Sequence, residues 1–123
     1  MAVAKANFVR YSSRKVGQVL DLIRSKPVIE AFKILKFIPR SSKEMVEKTL
    51  KSAVANEGRL KQQEGLYVKE CWVNLGPSLK RFRSRAFGRA YGYKRKTCHL
   101  TIIVDEMPKK AISSARKVAA QKN

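Results

Sequence analysis

The sequence predicts an α+β fold: three helices packed on a small three-stranded antiparallel sheet, with a long extended β-hairpin arm. Three observations carry that prediction. Three successive segments of the first half repeat apolar residues at helical spacing. Two runs rich in β-formers, Leu66–Leu75 and His99–Val104, lie in the second half. Between them runs GPSLKRFRSRAFGRAYGYKRKTCH, residues 76–99, which holds no Asp or Glu.

The elements follow in chain order. Residues 6–11 (ANFVRY) read as a short strand anchored by Phe8 and Val9. Ser12 and Ser13 then offer a side chain to the free amides of a helix start. Val16, Val19, Leu20 and Ile23 fall on one helical face, and Pro27 stops that helix by Lys26. Pro27 suits the first turn of a second helix, in which Ala31, Ile34, Leu35 and Ile38 repeat the spacing up to Pro39. Ser41 and Glu44 stand three apart, the pattern of a reciprocal helix cap. A third helix follows, with Val46, Leu50 and Ala53 inward, running to about Asn56 with Gly58 as its stop. Residues 59–65 are polar and read as a loop.

In the strand 66–75, Leu66 and Val68 share one face while Cys71 and Val73 fall on the other, which a bulge near Lys69 and Glu70 reconciles. The later strand, 99–104, alternates cleanly, with Leu100, Ile102 and Val104 on one side. Together the two flanking strands and the basic stretch predict one long antiparallel hairpin. Its turn falls at residues 86–89, where Gly88 takes a positive φ. The 11 residues or so from Gly76 to that turn reach ~35 Å at roughly 3.3 Å each. Residues 1–106 are thus expected to form a single domain that includes the arm, and residues 107–123 a flexible basic tail.

Charge points to the function. Lys and Arg number 28 against 9 Asp and Glu, a formal net charge of +19 in 123 residues. Self-repulsion on that scale calls for a polyanion. The charge is also uneven: residues 1–76 and residues 77–99 each carry net +8. Eight like charges with few aliphatic residues offer too little burial to offset the entropy of ordering the segment, so the arm is expected to be ordered by something anionic. Guanidinium groups bind phosphates in bidentate fashion and stack on bases, and Phe82, Phe87, Tyr91 and Tyr93 are interleaved among them. A basic two-stranded ribbon also fits DNA grooves, so composition leaves an architectural DNA-binding protein as the alternative.

Other classes lack residues. Two cysteines, Cys71 and Cys98, with the single His99 do not supply the four ligands of a zinc site, and they read as reduced thiols. His99 has no identifiable partner for general-base work, so a structural or RNA-contacting role is expected. No phosphate-binding glycine loop, dinucleotide fingerprint or paired-carboxylate site appears, so no enzyme, metal or cofactor is expected. No stretch approaches the roughly 20 apolar residues of a membrane span, and MAVAKANF has no signal core.

With these residues in view, the stretch from Gly76 to Val104 closely resembles the signature of the large ribosomal subunit protein twenty-two family, in its bacterial and organellar form. SSRKVGQVLDLIRSK and KSAVAN are similar to two upstream segments of that family, in order. The resemblance implies a structural constituent of the large subunit. Its partners would be large-subunit ribosomal RNA, neighbouring ribosomal proteins and the nascent polypeptide. It would sit in the cytoplasmic ribosome of a bacterium, or in an organelle matrix. Lys80, Arg81, Arg83, Arg85, Lys94, Arg95 and Lys96 would contact RNA along the arm, with Arg14 and Lys15 ahead of the first helix. Phe87, Gly88, Arg89 and Ala90 would form the tip that lines the peptide exit tunnel. The chain departs from the pattern at Ser13 and Ser84, which stand where proline is usual. It departs again at Phe87, where a basic residue is frequent, at Tyr91–Gly92, which replace Asp-Arg, and at Cys98, which replaces Ser.

Overall fold

A computed structural model describes residues 1–108, so the expectation for the 107–123 tail falls almost wholly outside the described residues. The element order is β1 (Ala2–Val9), α1 (Ser13–Ile23), α2 (Val28–Phe37), α3 (Lys43–Asn56), β2 (Leu66–Leu75), β3 (Leu79–Ser84), β4 (Ala90–Arg95) and β5 (Cys98–Glu106), with a short turn at Ala86–Gly88 between β3 and β4. The class is α+β, as predicted. A three-stranded sheet runs in the order β1-β5-β2, and β3 and β4 make a separate two-stranded sheet. Both are antiparallel.

The helical periodicity translates directly into burial. Val16, Val19, Leu20 and Ile23 of α1 are buried, as are Val46, Leu50 and Ala53 of α3. In α2, Ala31 and Leu35 are buried with Val28, while Ile34 and Ile38 pack only at the margin. These side chains meet Leu66, Val68, Cys71, Leu100, Ile102 and Val104 on the inner face of the sheet. Each fully buried Leu, Ile or Val contributes about 1.5–3 kcal/mol, enough in aggregate to hold a small body together. β2 carries its predicted bulge between Val68 and Glu70, which returns Cys71 and Val73 to the core side.

Several local expectations are corrected. The first strand spans Ala2–Val9, not residues 6–11. It is built on Ala2 and Ala4, whose small side chains fit under α3 but give no conspicuous hydrophobic pattern. Phe8 is no anchor: it is 65% exposed and sits at φ +56, where β1 bulges away from β5. Its N–H donates to His99 Nδ1 at 3.0 Å, and the two rings meet edge-on with centroids 4.8 Å apart, giving His99 a structural role. Pro27 occupies the N-cap of α2 and bridges to Tyr67, instead of entering the first turn. The reciprocal cap at Ser41 and Glu44 does not form. Ser42 takes the N-cap of α3 with helical dihedrals, which point no side-chain oxygen at the free amides. Ser12 at the N-cap of α1 likewise makes no side-chain bond.

The single long hairpin is also corrected. β2 and β5 pair as far as Leu75 with Cys98, and the Gly76 N–H bonds the Thr97 carbonyl at 2.9 Å. The next paired residues are Leu79 and Arg95. Pro77 and Ser78 thus lie opposite Lys96 alone, so the ribbon contains a bulge where it leaves the body.

Candidate nucleic-acid interface

The arm is built from its root outward. At the root, the Thr97 hydroxyl donates to the Pro77 carbonyl at 2.5 Å, and Thr97 itself is buried. Gly76 has no room for a side chain: a Cβ there would lie 2.5 Å from Thr97 Oγ1 and 3.1 Å from its carbonyl carbon. This latch was not foreseen from the sequence. Its only signal is an uncharged Thr between the basic run and the strand, opposite a Gly-Pro.

Beyond the root, the six residues of β3 pair with the six of β4. Every residue from Lys80 to Gly92 is exposed, as are Lys94, Arg95 and Lys96. Lys80, Arg81, Arg83 and Arg85 therefore run out along one leg of the hairpin, and Lys94, Arg95 and Lys96 return along the other, all open to solvent. Among the described residues none of these cations has a carboxylate within ion-pair distance. The salt bridges found lie on the body, such as Lys51–Glu47 at 2.8 Å and the Arg59–Glu106 pair. Tyr93 is partly covered, as is Leu79 where β3 begins. The Arg83 and Arg95 guanidinium carbons lie 5.2 and 5.3 Å from the Tyr93 ring centroid.

The tip turns where predicted. Gly88 has φ +65, and the Arg85 N–H bonds the Arg89 carbonyl at 2.7 Å. Phe87 also has a positive φ, +61, which the sequence does not announce for an aromatic residue. Two consecutive left-handed residues match the twist of the flanking strands. They leave Phe87 projecting from the turn, 98% exposed, with Arg89 and Ala90 exposed beside it.

Arg14 and Lys15 occupy the exposed first turn of α1. Cations there oppose the helix dipole and do nothing for the helix. The packing of α1 fixes where they point. Arg24 bonds the Cys71 carbonyl and Ser25 the Val68 carbonyl, whereas Gly17 faces Val73. The N-terminus of α1 therefore lies at the end of β2 from which the arm departs.

Cys71 and Cys98 are buried free thiols, pushed up from the ordinary thiol range chiefly by burial, and so are poor nucleophiles at neutral pH. No cluster of three or more metal-binding side chains occurs among the described residues. No helix among them is long and apolar enough to cross a membrane.

A body closed around an apolar core, with an exposed ribbon carrying eight cations and no anion, has the build expected of a polyanion-binding structural protein. Comparison with known proteins narrows that class. Residues 4–105 match the family described as ribosomal protein L22p/L17e. The large ribosomal subunit protein uL22 of Endomicrobium trichonymphae is 52% identical over 105 residues, covering 85% of this chain and 91% of that one. The protein of the same name from Pediococcus pentosaceus is 51% identical over 107 residues, with 85% and 91% covered. That of Heliobacterium modesticaldum is 49% identical over 117 residues, with 94% and 84% covered. The chain belongs to the ribosomal protein L22p/L17e family, whose members are structural proteins of the translation machinery and not enzymes.

Proposed function

We propose that this chain is a constituent of the large ribosomal subunit that binds large-subunit ribosomal RNA, supports its assembly and lines the peptide exit tunnel with its hairpin tip. Residues 1–106 act as one RNA-binding unit in the cytoplasmic ribosome, beside neighbouring ribosomal proteins. The observation that carries the reading is the arm: Lys80, Arg81, Arg83, Arg85, Lys94, Arg95 and Lys96 are exposed, with no neutralising carboxylate among the described residues, in a chain of this family. The phosphates of surrounding RNA would supply the missing counter-charge and order the ribbon. Arg14 and Lys15 extend the same surface onto the body at the arm's root. Phe87, Gly88, Arg89 and Ala90 form the part that meets the nascent polypeptide.

The test is binding at matched salt. Affinity for a large-subunit ribosomal RNA transcript should exceed that for duplex DNA of equal length by at least tenfold. Both affinities should fall steeply as salt rises, because bound cations release counterions from the nucleic acid. Equal or tighter binding to the duplex would overturn this reading in favour of an architectural DNA-binding protein.

A further inference from the structure

We propose that the arm has two chemically different faces, and that its arginine–tyrosine face is the specific RNA grip. On that face Tyr93 is a positioning residue that holds Arg83 and Arg95 ready for phosphates. The proposal rests on the RNA-binding reading above and specifies which part of the arm does the binding.

The register carries the argument. Directly opposed residues of an antiparallel ladder project to the same side, and neighbours along a strand alternate. Leu79 pairs with Arg95, Arg81 with Tyr93, and Arg83 with Tyr91. These six side chains share one face. Lys80 pairs with Lys94, Phe82 with Gly92, and Ser84 with Ala90, so the other face carries lysines and a phenylalanine. Every arginine within β3 and β4 is thus on one face, and every lysine is on the other. The side-chain positions agree. Phe82 lies over Gly92, its Cε1 3.5 Å from where a Gly92 Cβ would stand. On the opposite side, Arg83, Arg85, Tyr91, Tyr93 and Arg95, with the backbone of Gly92, line a shallow groove of about 270 Å³.

Tyr93 sits between its diagonal neighbour Arg83 and its strand neighbour Arg95, 5.2 and 5.3 Å from their guanidinium carbons. A guanidinium lying against a ring keeps its N–H edge free for a bidentate phosphate bond. Holding it there in advance removes part of the ordering cost on binding. Arg81 is restrained differently, through a 2.9 Å bond from its Nη1 to the Lys80 carbonyl. Tyr91 remains 55% exposed and offers a free ring to an unstacked base. Prealigned guanidiniums beside an open aromatic ring match the phosphate-and-base repeat of RNA better than they match an acidic peptide. The lysines opposite are hydrated point charges on flexible stems, suited to diffuse attraction.

Charge-matched pairs in the full-length chain test this against a large-subunit ribosomal RNA transcript. Arg83→Gln with Arg95→Gln removes as much charge as Lys80→Gln with Lys94→Gln, so both pairs should flatten the salt dependence equally. The arginine pair should nevertheless lose at least tenfold more affinity. Tyr93→Phe should bind as the parent does, whereas Tyr93→Leu should lose about fivefold with an unchanged salt slope, since no charge is removed. Equal losses from the two charge-matched pairs would overturn the two-faced arm, and parental affinity in Tyr93→Leu would overturn the positioning role. Competition by poly-glutamate as effective as that by RNA, at equal charge, would replace the RNA by an acidic polypeptide. A parent chain that fails to prefer ribosomal RNA over duplex DNA would instead sink the RNA-binding reading on which all of this rests.

Discussion

Leu50 in α3 and Phe82 in β3 are both large apolar side chains within regular elements. Leu50 has no exposed surface, whereas Phe82 is 74% exposed. The contrast holds for the regions they belong to. The body's helices and sheet share one cluster of buried side chains, and each element is held by the others. The arm contributes nothing to that cluster beyond its root. Its order comes from a backbone ladder, a left-handed turn, the Thr97 latch and guanidinium–tyrosine contacts. A two-stranded ribbon with so little burial is marginal in water. The body thus carries the stability of the protein and the arm its densest charge.

The strongest challenge to this contrast is to truncate both side chains. Leu50→Ala should destabilise the protein by about 2–5 kcal/mol, since it opens a cavity in a closed core. Phe82→Ala should stay within about 0.5 kcal/mol. Urea denaturation followed by far-ultraviolet circular dichroism measures both, and comparable losses would make the arm part of the core.

A smaller effect should appear at the junction. Gly76→Ala forces a Cβ against Thr97 and should cost about 1–3 kcal/mol, confined to the root and the arm it holds. Amide exchange should quicken along Leu79–Arg95 while the protection of α1 and α3 is unchanged. Slower or unaltered exchange in the arm would mean that the latch does not hold it. The smallest expected effect is at the tip. Phe87→Gly removes a left-handed aromatic residue and should favour the hairpin by about 1 kcal/mol, with no change in the body's melting temperature. Weaker cross-strand nuclear Overhauser contacts between Ser84 and Ala90 in the variant would show that the Phe87 side chain stabilises the turn.

The same contrast explains what was legible in the sequence. The helices of the body were readable because burial imposes a period, and Val16, Val19, Leu20 and Ile23 carry it plainly. The bulge at Lys69 was readable because the hydrophobic pattern of β2 changes face there. β1 was misplaced because its inward residues include Ala2 and Ala4, whose small size leaves almost no pattern. The serines ahead of α1 and α3 suggest caps that do not form: Ser42 has helical dihedrals, which turn its oxygen away, whereas Ser12 has the extended dihedrals of an N-cap and still makes no side-chain bond. In the arm, charge and glycine placement gave away the ribbon and its turn. They carried no information on its register, because neither face is buried.

By itself the sequence determined the composition of the two regions, the helical periods of the body, the location of the basic ribbon and the place of its turn. Each is set by local pattern or by charge, which need no partner to be expressed. The faces of the arm were decided only in three dimensions. Had the ladder of β2 and β5 continued without a bulge, Lys80 would oppose Tyr93 and Phe82 would oppose Tyr91. Pro77 and Ser78 opposite Lys96 shift the pairing by one residue, which brings both tyrosines to the side of Arg81 and Arg83. A shift of one residue exchanges the sides of a strand, and it is set by the backbone bonds at the Gly76–Thr97 root together with the left-handed turn at Phe87–Gly88, not by any periodicity of the chain.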